Sequence, residues 1–158
     1  MQGVSKRRRV EPGLESLEGR SLLSVGLHGR VTGTFAVANG PLPGVEVVSF
    51  DLHGRAPRVG PVGSSGSFLV PGTGLQSLLP SSRINGVPVL ATSSAGAVAG
   101  PADLVLQQIN RNFARLTVLG TVTTGTGAFT GATGSFHALL RLDLRNDHVS
   151  GTAAGVLR

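Results

Sequence analysis

His137, Arg141 and Asp143 place an imidazole, a guanidinium and a carboxylate at odd-numbered positions of the segment Ser135–Arg145, SFHALLRLDLR. In an extended chain alternate residues point the same way, so the three form one polar row. A row of this kind at the mouth of a barrel can bind a polar ligand, and it is the candidate ligand-binding set. The same alternation offers a plainer account. Phe136, Ala138, Leu140, Leu142 and Leu144 form the opposite, apolar face, so the polar row is the side that meets water. The other acids beyond residue 24 are Glu46, Asp51, Asp103 and Asp147, and the other histidines are His28, His53 and His148. No His-x-His, HExxH or cysteine pair occurs, so no metal is expected. No G-x-S-x-G elbow occurs either, and Gly63-Ser64-Ser65-Gly66-Ser67 reads as a flexible loop. No catalytic residue and no cofactor are assigned.

These side chains need strands to position them. The chain has 158 residues, with 24 glycines and no Cys, Trp or Tyr. Glycine and β-branched residues disfavour long helices and suit short strands joined by tight turns. No Cys means no disulfide or thiol chemistry, and a sugar-binding surface lacks its aromatic platforms. Residues 114–123 alternate like 135–145, with Ala114, Leu116, Val118, Gly120 and Val122 facing in. Residues 31–37 do so with Val31, Gly33, Phe35 and Val37. Further strands are expected at 45–52, 67–70, 86–91, 104–109 and 148–158. Residues 104–113 also carry a helical spacing, but Leu104 and Leu106 favour a strand. Pro88 demotes 86–91 to an edge strand or a bulge. Residues 57–66 and 71–85, rich in Gly, Pro and Ser, read as loops.

The last two strands predict a hairpin with Asn146-Asp147 as its loop, pairing Leu144 with Val149, Leu142 with Gly151, Leu140 with Ala153, Ala138 with Gly155 and Phe136 with Leu157. All the apolar partners then fall on one face. Bulky residues opposite Gly and Ala suit a closed, tapering interior. The expected fold is therefore all-β, about eight antiparallel strands in a closed β-barrel, with a β-sandwich as the alternative. The barrel domain spans 27–158, behind a disordered or short-helical tail at 1–26. Two short echoes occur: Leu27-His28-Gly29-Arg30 returns as Leu52-His53-Gly54-Arg55, and Val31-Thr32-Gly33-Thr34 as Val149-Ser150-Gly151-Thr152. Neither sustains a period, so no solenoid or propeller is expected.

The formal net charge is +6. Beyond residue 24 there are nine Arg against five acids, scattered along the chain, which argues against a nucleic-acid interface and for a solvated surface. No apolar run is long enough for a membrane-spanning helix.

The N-terminus is more specific. Residues 5–9 read SKRRR, with Arg7, Arg8 and Arg9, and residues 14–24 read LESLEGRSLLS. Taken alone, the second run is a short amphipathic helix, with Leu14 and Leu17 on one stripe and Glu15, Glu18 and Arg20 on the other. It also resembles the LEPR-XLL sorting segment of planctomycete-type bacterial surface and secreted proteins. Leu14, Glu15, Leu17, Glu18, Arg20, Leu22, Leu23 and Ser24 match; Gly19 departs from the usual Asp. The resemblance implies export or surface sorting, an extracytoplasmic location, and the export or sorting machinery as partner. It implies no enzymatic activity.

Residues 125–134, GTGAFTGATG, invite three readings. The third glycine of a dinucleotide loop would fall on Thr130, and a phosphate loop would need a lysine, so both fail. What is left is a strand-to-strand turn in which glycine supplies positive φ and Phe129 plugs the barrel end. The run is similar to the glycine turn of the allene oxide cyclase and dirigent-like barrels, through Gly125, Thr126, Gly127, Phe129, Gly131, Ala132 and Gly134, with residues 114–158 carrying the match. The resemblance implies an eight-stranded antiparallel barrel with two strands after the turn. Some members of that group act on small apolar substrates inside the barrel.

Two functions follow. One is a non-catalytic exported or cell-surface barrel with a structural or interaction role. The alternative is a small-molecule-binding or isomerase-like barrel acting on an apolar ligand in its lumen. A filled interior favours the first; a cavity of ~300 Å³ or more with a polar group inside favours the second.

Overall fold

A computed structural model describes residues 25–158. The basic run and the sorting segment, Arg7 to Leu23, lie outside the described residues. The strands are β1 (Val25–Asn39), β2 (Val45–Ala56), β3 (Gly60–Pro71), β4 (Ser81–Ser93), β5 (Gly96–Asn110), β6 (Phe113–Val122), β7 (Thr124–Gly125), β8 (Gly134–Asp143) and β9 (His148–Leu157). Each pairs antiparallel with its neighbours in the order β4-β3-β2-β1-β9-β8-β6-β5, and β4 pairs with β5 to close the ring. The fold is a closed eight-stranded barrel, not a sandwich. The two-residue β7 is an addition that pairs with Val98 and Ala99 of β5.

Closure puts one face of every strand inside. The interior is built from Phe35, Val48, Leu52, Phe68, Val70, Val87, Leu104, Leu106, Leu116, Val118, Leu140, Leu142 and Val149. The two ends differ. At one end the short 3-10 helix Gly74–Leu78 inserts Leu75 into the core, and Leu78 and Leu79 pack against it. At the other, the mouth, stand the tips of the β2–β3 and β4–β5 hairpins, the start of β1 and the end of β9.

The expected strands all exist, but several details differ. Residues 60–66 are strand, not loop. Their small side chains hide the alternation, yet β2 and β4 flank them and supply ladder partners. In the other expected loop, 71–85, only the middle is irregular, since β4 begins at Ser81. Pro88 sits in a strand paired on both sides. Its β5 partner is Pro101, and the β3 ladder stops one residue short, at Gly66 with Val89, so its missing N–H leaves that ladder intact. The irregularity falls just before it, between Ile84 and Val87, where Gly86 takes φ +69°. Val37, expected inside, is 43% exposed, because it lies at the stoppered rim where the wall ends.

The C-terminal hairpin has the expected faces but a register two residues away. Leu142 pairs with Val149, Leu140 with Gly151, Ala138 with Ala153 and Phe136 with Gly155. The loop is four residues, Leu144–Asp147, rather than two. Asp143 makes the longer loop possible: its carboxylate accepts hydrogen bonds from the Arg145 main-chain N–H at 3.0 Å and from Asn146 Nδ2 at 3.0 Å. Asp147 then takes φ +53°, as the residue type allows. A shift of two preserves side-chain facing, which is why the apolar pattern cannot distinguish the registers.

Candidate functional site

The polar row of β8 does not converge. His137 and Asp143 are six residues apart on one strand, roughly 20 Å. His137 stands opposite Leu119 and borders a shallow outer groove with Asp103. The Arg141 guanidinium lies over the Phe113 ring, 3.8 Å from its centroid, with Arg145 at 5.3 Å on the same ring. Asp143 is committed to the turn and pairs with Arg145 at 3.3 Å. Its hydrogen bonds from the Arg145 side chain, then from the main chain, hold its carboxyl below the usual carboxylate range. All three point outside the barrel, and none lines its lumen. Arg141 and Asp143, with Arg145, clamp Phe113 and the β8–β9 loop, and His137 takes no part in it.

The glycine turn is partly as expected. Gly127 and Gly131 have φ +61° and +76°. Gly125 and Gly134 are extended; a Cβ at either would meet a backbone carbonyl, that of Phe129 or of Val156. Phe129 does not plug the barrel. It is half-buried and stands outside the core cluster and the lumen wall. The turn folds back on the β4–β5 hairpin, with Thr126 N–H donating to Ala97 O and Ala128 N–H to Ala95 O, each at 2.8 Å. Those bonds hold it beside the mouth and leave the mouth uncovered by Phe129.

The mouth leads into an apolar lumen of two adjoining chambers. The outer has a volume of about 160 Å³ and the inner about 100 Å³. Val31, Leu52, Ser64, Val89, Phe136 and Ala153 line both, so the chambers meet at that level. Room there comes from glycine paired with phenylalanine. Gly120 is the β6 partner of Phe136 and Gly66 the β3 partner of Phe50, and each ring lies where its partner's side chain would be. Among the described residues Ser64 is the single polar side chain common to both chambers. It was hidden inside the run read as a flexible loop. The signal that could have found it is the alternation Val62, Ser64, Gly66, Phe68, Val70, whose small members mask the period of two.

The fold and this interior define an up-and-down antiparallel barrel with an apolar, one-ended lumen. Compared with protein-family models, curated proteins and solved structures, the chain matches none.

Proposed function

We propose that this protein is an exported, non-catalytic barrel that holds a small apolar molecule in its lumen. The observation that carries the binding role is the pair of adjoining chambers open at the mouth. Together they offer about 260 Å³, a little under the size expected of a drug-sized pocket. Cavities near 150 Å³ with such walls stay dry and accept molecules the size of benzene. Ser64 gives the ligand one hydroxyl partner. Among the described residues no carboxylate or imidazole lines the inner chamber, which favours holding a ligand over isomerising it. Export rests on the likeness of residues 14–24 to the LEPR-XLL segment, and the dirigent-like glycine turn agrees with a lumenal ligand.

Thermal melts of the full chain with neutral apolar compounds test the binding role. Benzene or 1-octanol should raise the melting temperature, since a ligand of the folded state stabilises it by mass action. Ala153→Leu, which fills the level shared by the chambers, should remove that response while the barrel stays folded. No response from wild type across the series would end this reading. Export is tested separately by fractionating cells that express the full chain or a form lacking residues 1–24. Equal export of the two would end the sorting role.

A further inference from the structure

Four of the nine arginines beyond residue 24 meet on one part of the outer wall. Arg115 on β6 and Arg141 on β8 are exposed and are direct antiparallel partners. Like charges directly opposite one another destabilise a sheet, so this pair opposes the fold that holds it. The Arg141 guanidinium rests on the Phe113 ring, 3.8 Å from its centroid, and Arg145 lies over the same ring at 5.3 Å. Arg111 is exposed in the β5–β6 turn. That turn is tied to the loop carrying Arg145, since the Leu144 N–H donates to Asn112 O at 2.9 Å.

The pairing extends to a row across the sheet. Gln107 is the β5 partner of Arg115, Ser150 the β9 partner of Arg141, and Thr32 the β1 partner of Ser150. Gln107, Arg115, Arg141, Ser150 and Thr32 are all exposed, on five adjacent strands. Neighbouring strands stand ~5 Å apart, so the row runs for ~20 Å. Every member can donate a hydrogen bond. Among the described residues, the hydrogen bonds between side chains join Arg83, Asn85, Asp103, Asp143, Arg145 and Asn146, and leave the row out. The carboxylates are engaged elsewhere or stand apart. Asp143 holds Arg145, Asp103 holds Arg83, and Asp51 faces His53. Asp147 lies in the β8–β9 loop and Glu46 on β2. Arg111, Arg115 and Arg141 take part in none of these pairs, and the wall around them carries a positive potential.

We infer that this wall binds an acidic polysaccharide, with Arg115 and Arg141 bracketing a carboxylate or sulfate and Gln107, Ser150 and Thr32 donating to sugar oxygens beside it. An oxyanion between the two guanidiniums turns their repulsion into attraction, and each planar fork can meet it with two N–H groups. Stacking on Phe113 fixes the Arg141 fork and leaves its N–H edge free. Charge here takes the place of the aromatic platforms on which neutral sugars rest. A line of donors on an open wall suits a polymer, whereas a small ligand needs a concave site. The stacking also favours a glycan over single-stranded nucleic acid. Arg141 already covers the ring of Phe113, the aromatic beside the row, so that ring cannot stack a base. The row lies outside the barrel, and the inference is independent of the lumenal site.

Calorimetry of the full chain with polygalacturonate, dextran sulfate, neutral dextran and poly(dT) tests this. At least one acidic polysaccharide should bind on the order of tenfold tighter than dextran, tighter also than poly(dT), and more weakly as salt is added. Whichever binds names the oxyanion. Arg115→Gln and Arg141→Gln should each weaken that binding several-fold. Arg58→Gln, which removes one charge from the β2–β3 loop, should leave it within about twofold. Arg115→Glu should abolish binding without lowering the melting temperature, because it sets a carboxylate opposite Arg141. Loss of binding is then not loss of fold. The inference is overturned if neither acidic polysaccharide binds, if the Arg115 and Arg141 variants bind like wild type, or if Arg58→Gln weakens binding as much as they do. Poly(dT) that binds as tightly as the polysaccharides, with the same sensitivity to the variants, overturns the glycan as partner in favour of nucleic acid.

Discussion

The ring of Phe136 on β8 occupies the space that a side chain at Gly120, its antiparallel partner on β6, would fill. The pair stands on the inner face, where Phe136 lines both chambers. Gly120→Val should force that ring off its position and into the lumen, costing about 2 kcal/mol by overpacking. The variant should also lose the response to 1-octanol. Phe136→Leu in the same chain should restore much of the stability by making room. Urea melts of both variants check this; a Gly120→Val variant as stable as wild type would show that the glycine is not what makes room for the ring.

Neighbouring residues on β8 should differ sharply. Leu142 is almost fully buried among the core residues, whereas Arg141 is exposed over Phe113. Leu142→Asp buries an unpaired carboxylate and should cost about 4 kcal/mol or more. Arg141→Asp gives up an exposed cation–π contact and should cost about 1 kcal/mol. Urea midpoints of the two variants provide the comparison, and similar values would mean that the faces of β8 are assigned wrongly.

Two carboxylates should make stability fall in acid. Arg145 holds the Asp143 carboxyl low, and Arg83, then the Gly86 N–H, does the same for Asp103. For a carboxyl whose folded pKa lies below its unfolded one, the contribution is present at neutral pH. It is lost as pH falls past the unfolded value and through the folded one. Asp143→Asn and Asp103→Asn should each flatten the acid limb of stability against pH. Chemical denaturation from neutral to acid pH reads the slope. An acid limb unchanged in the Asp143→Asn, Asp103→Asn double variant would remove these groups from the account.

The turn glycines should rank. Gly127 and Gly131 both need positive φ, which costs other L-residues about 1–2 kcal/mol. A Cβ at Gly131 would have nothing within 4 Å, but one at Gly127 would lie 2.5 Å from the Ala95 carbonyl oxygen. Gly127→Ala should therefore destabilise more than Gly131→Ala. Phe129→Ala, half-buried and off the core, should cost only about 1 kcal/mol. Thermal melts in which Phe129→Ala is the worst of the three would restore it as a plug of the barrel end.

The sequence alone determined much of the wall. A period of two over residues 114–123 and 135–145 specifies which side chains go inside, because a strand offers only two faces. Phe136, Leu140 and Leu142 accordingly face inward, and His137 and Arg141 outward. The pattern is blind to a shift of two, so the Asp143 turn and the pairing of Leu142 with Val149 came only from the structure. It also fails where side chains are small. The strand that carries Ser64 reads as a loop until β2 and β4 are seen to pair with it on either side. The site was the least legible part. An apolar chamber is a property of how eight strands close, and it depends on Gly120 and Gly66 facing Phe136 and Phe50 across the sheet.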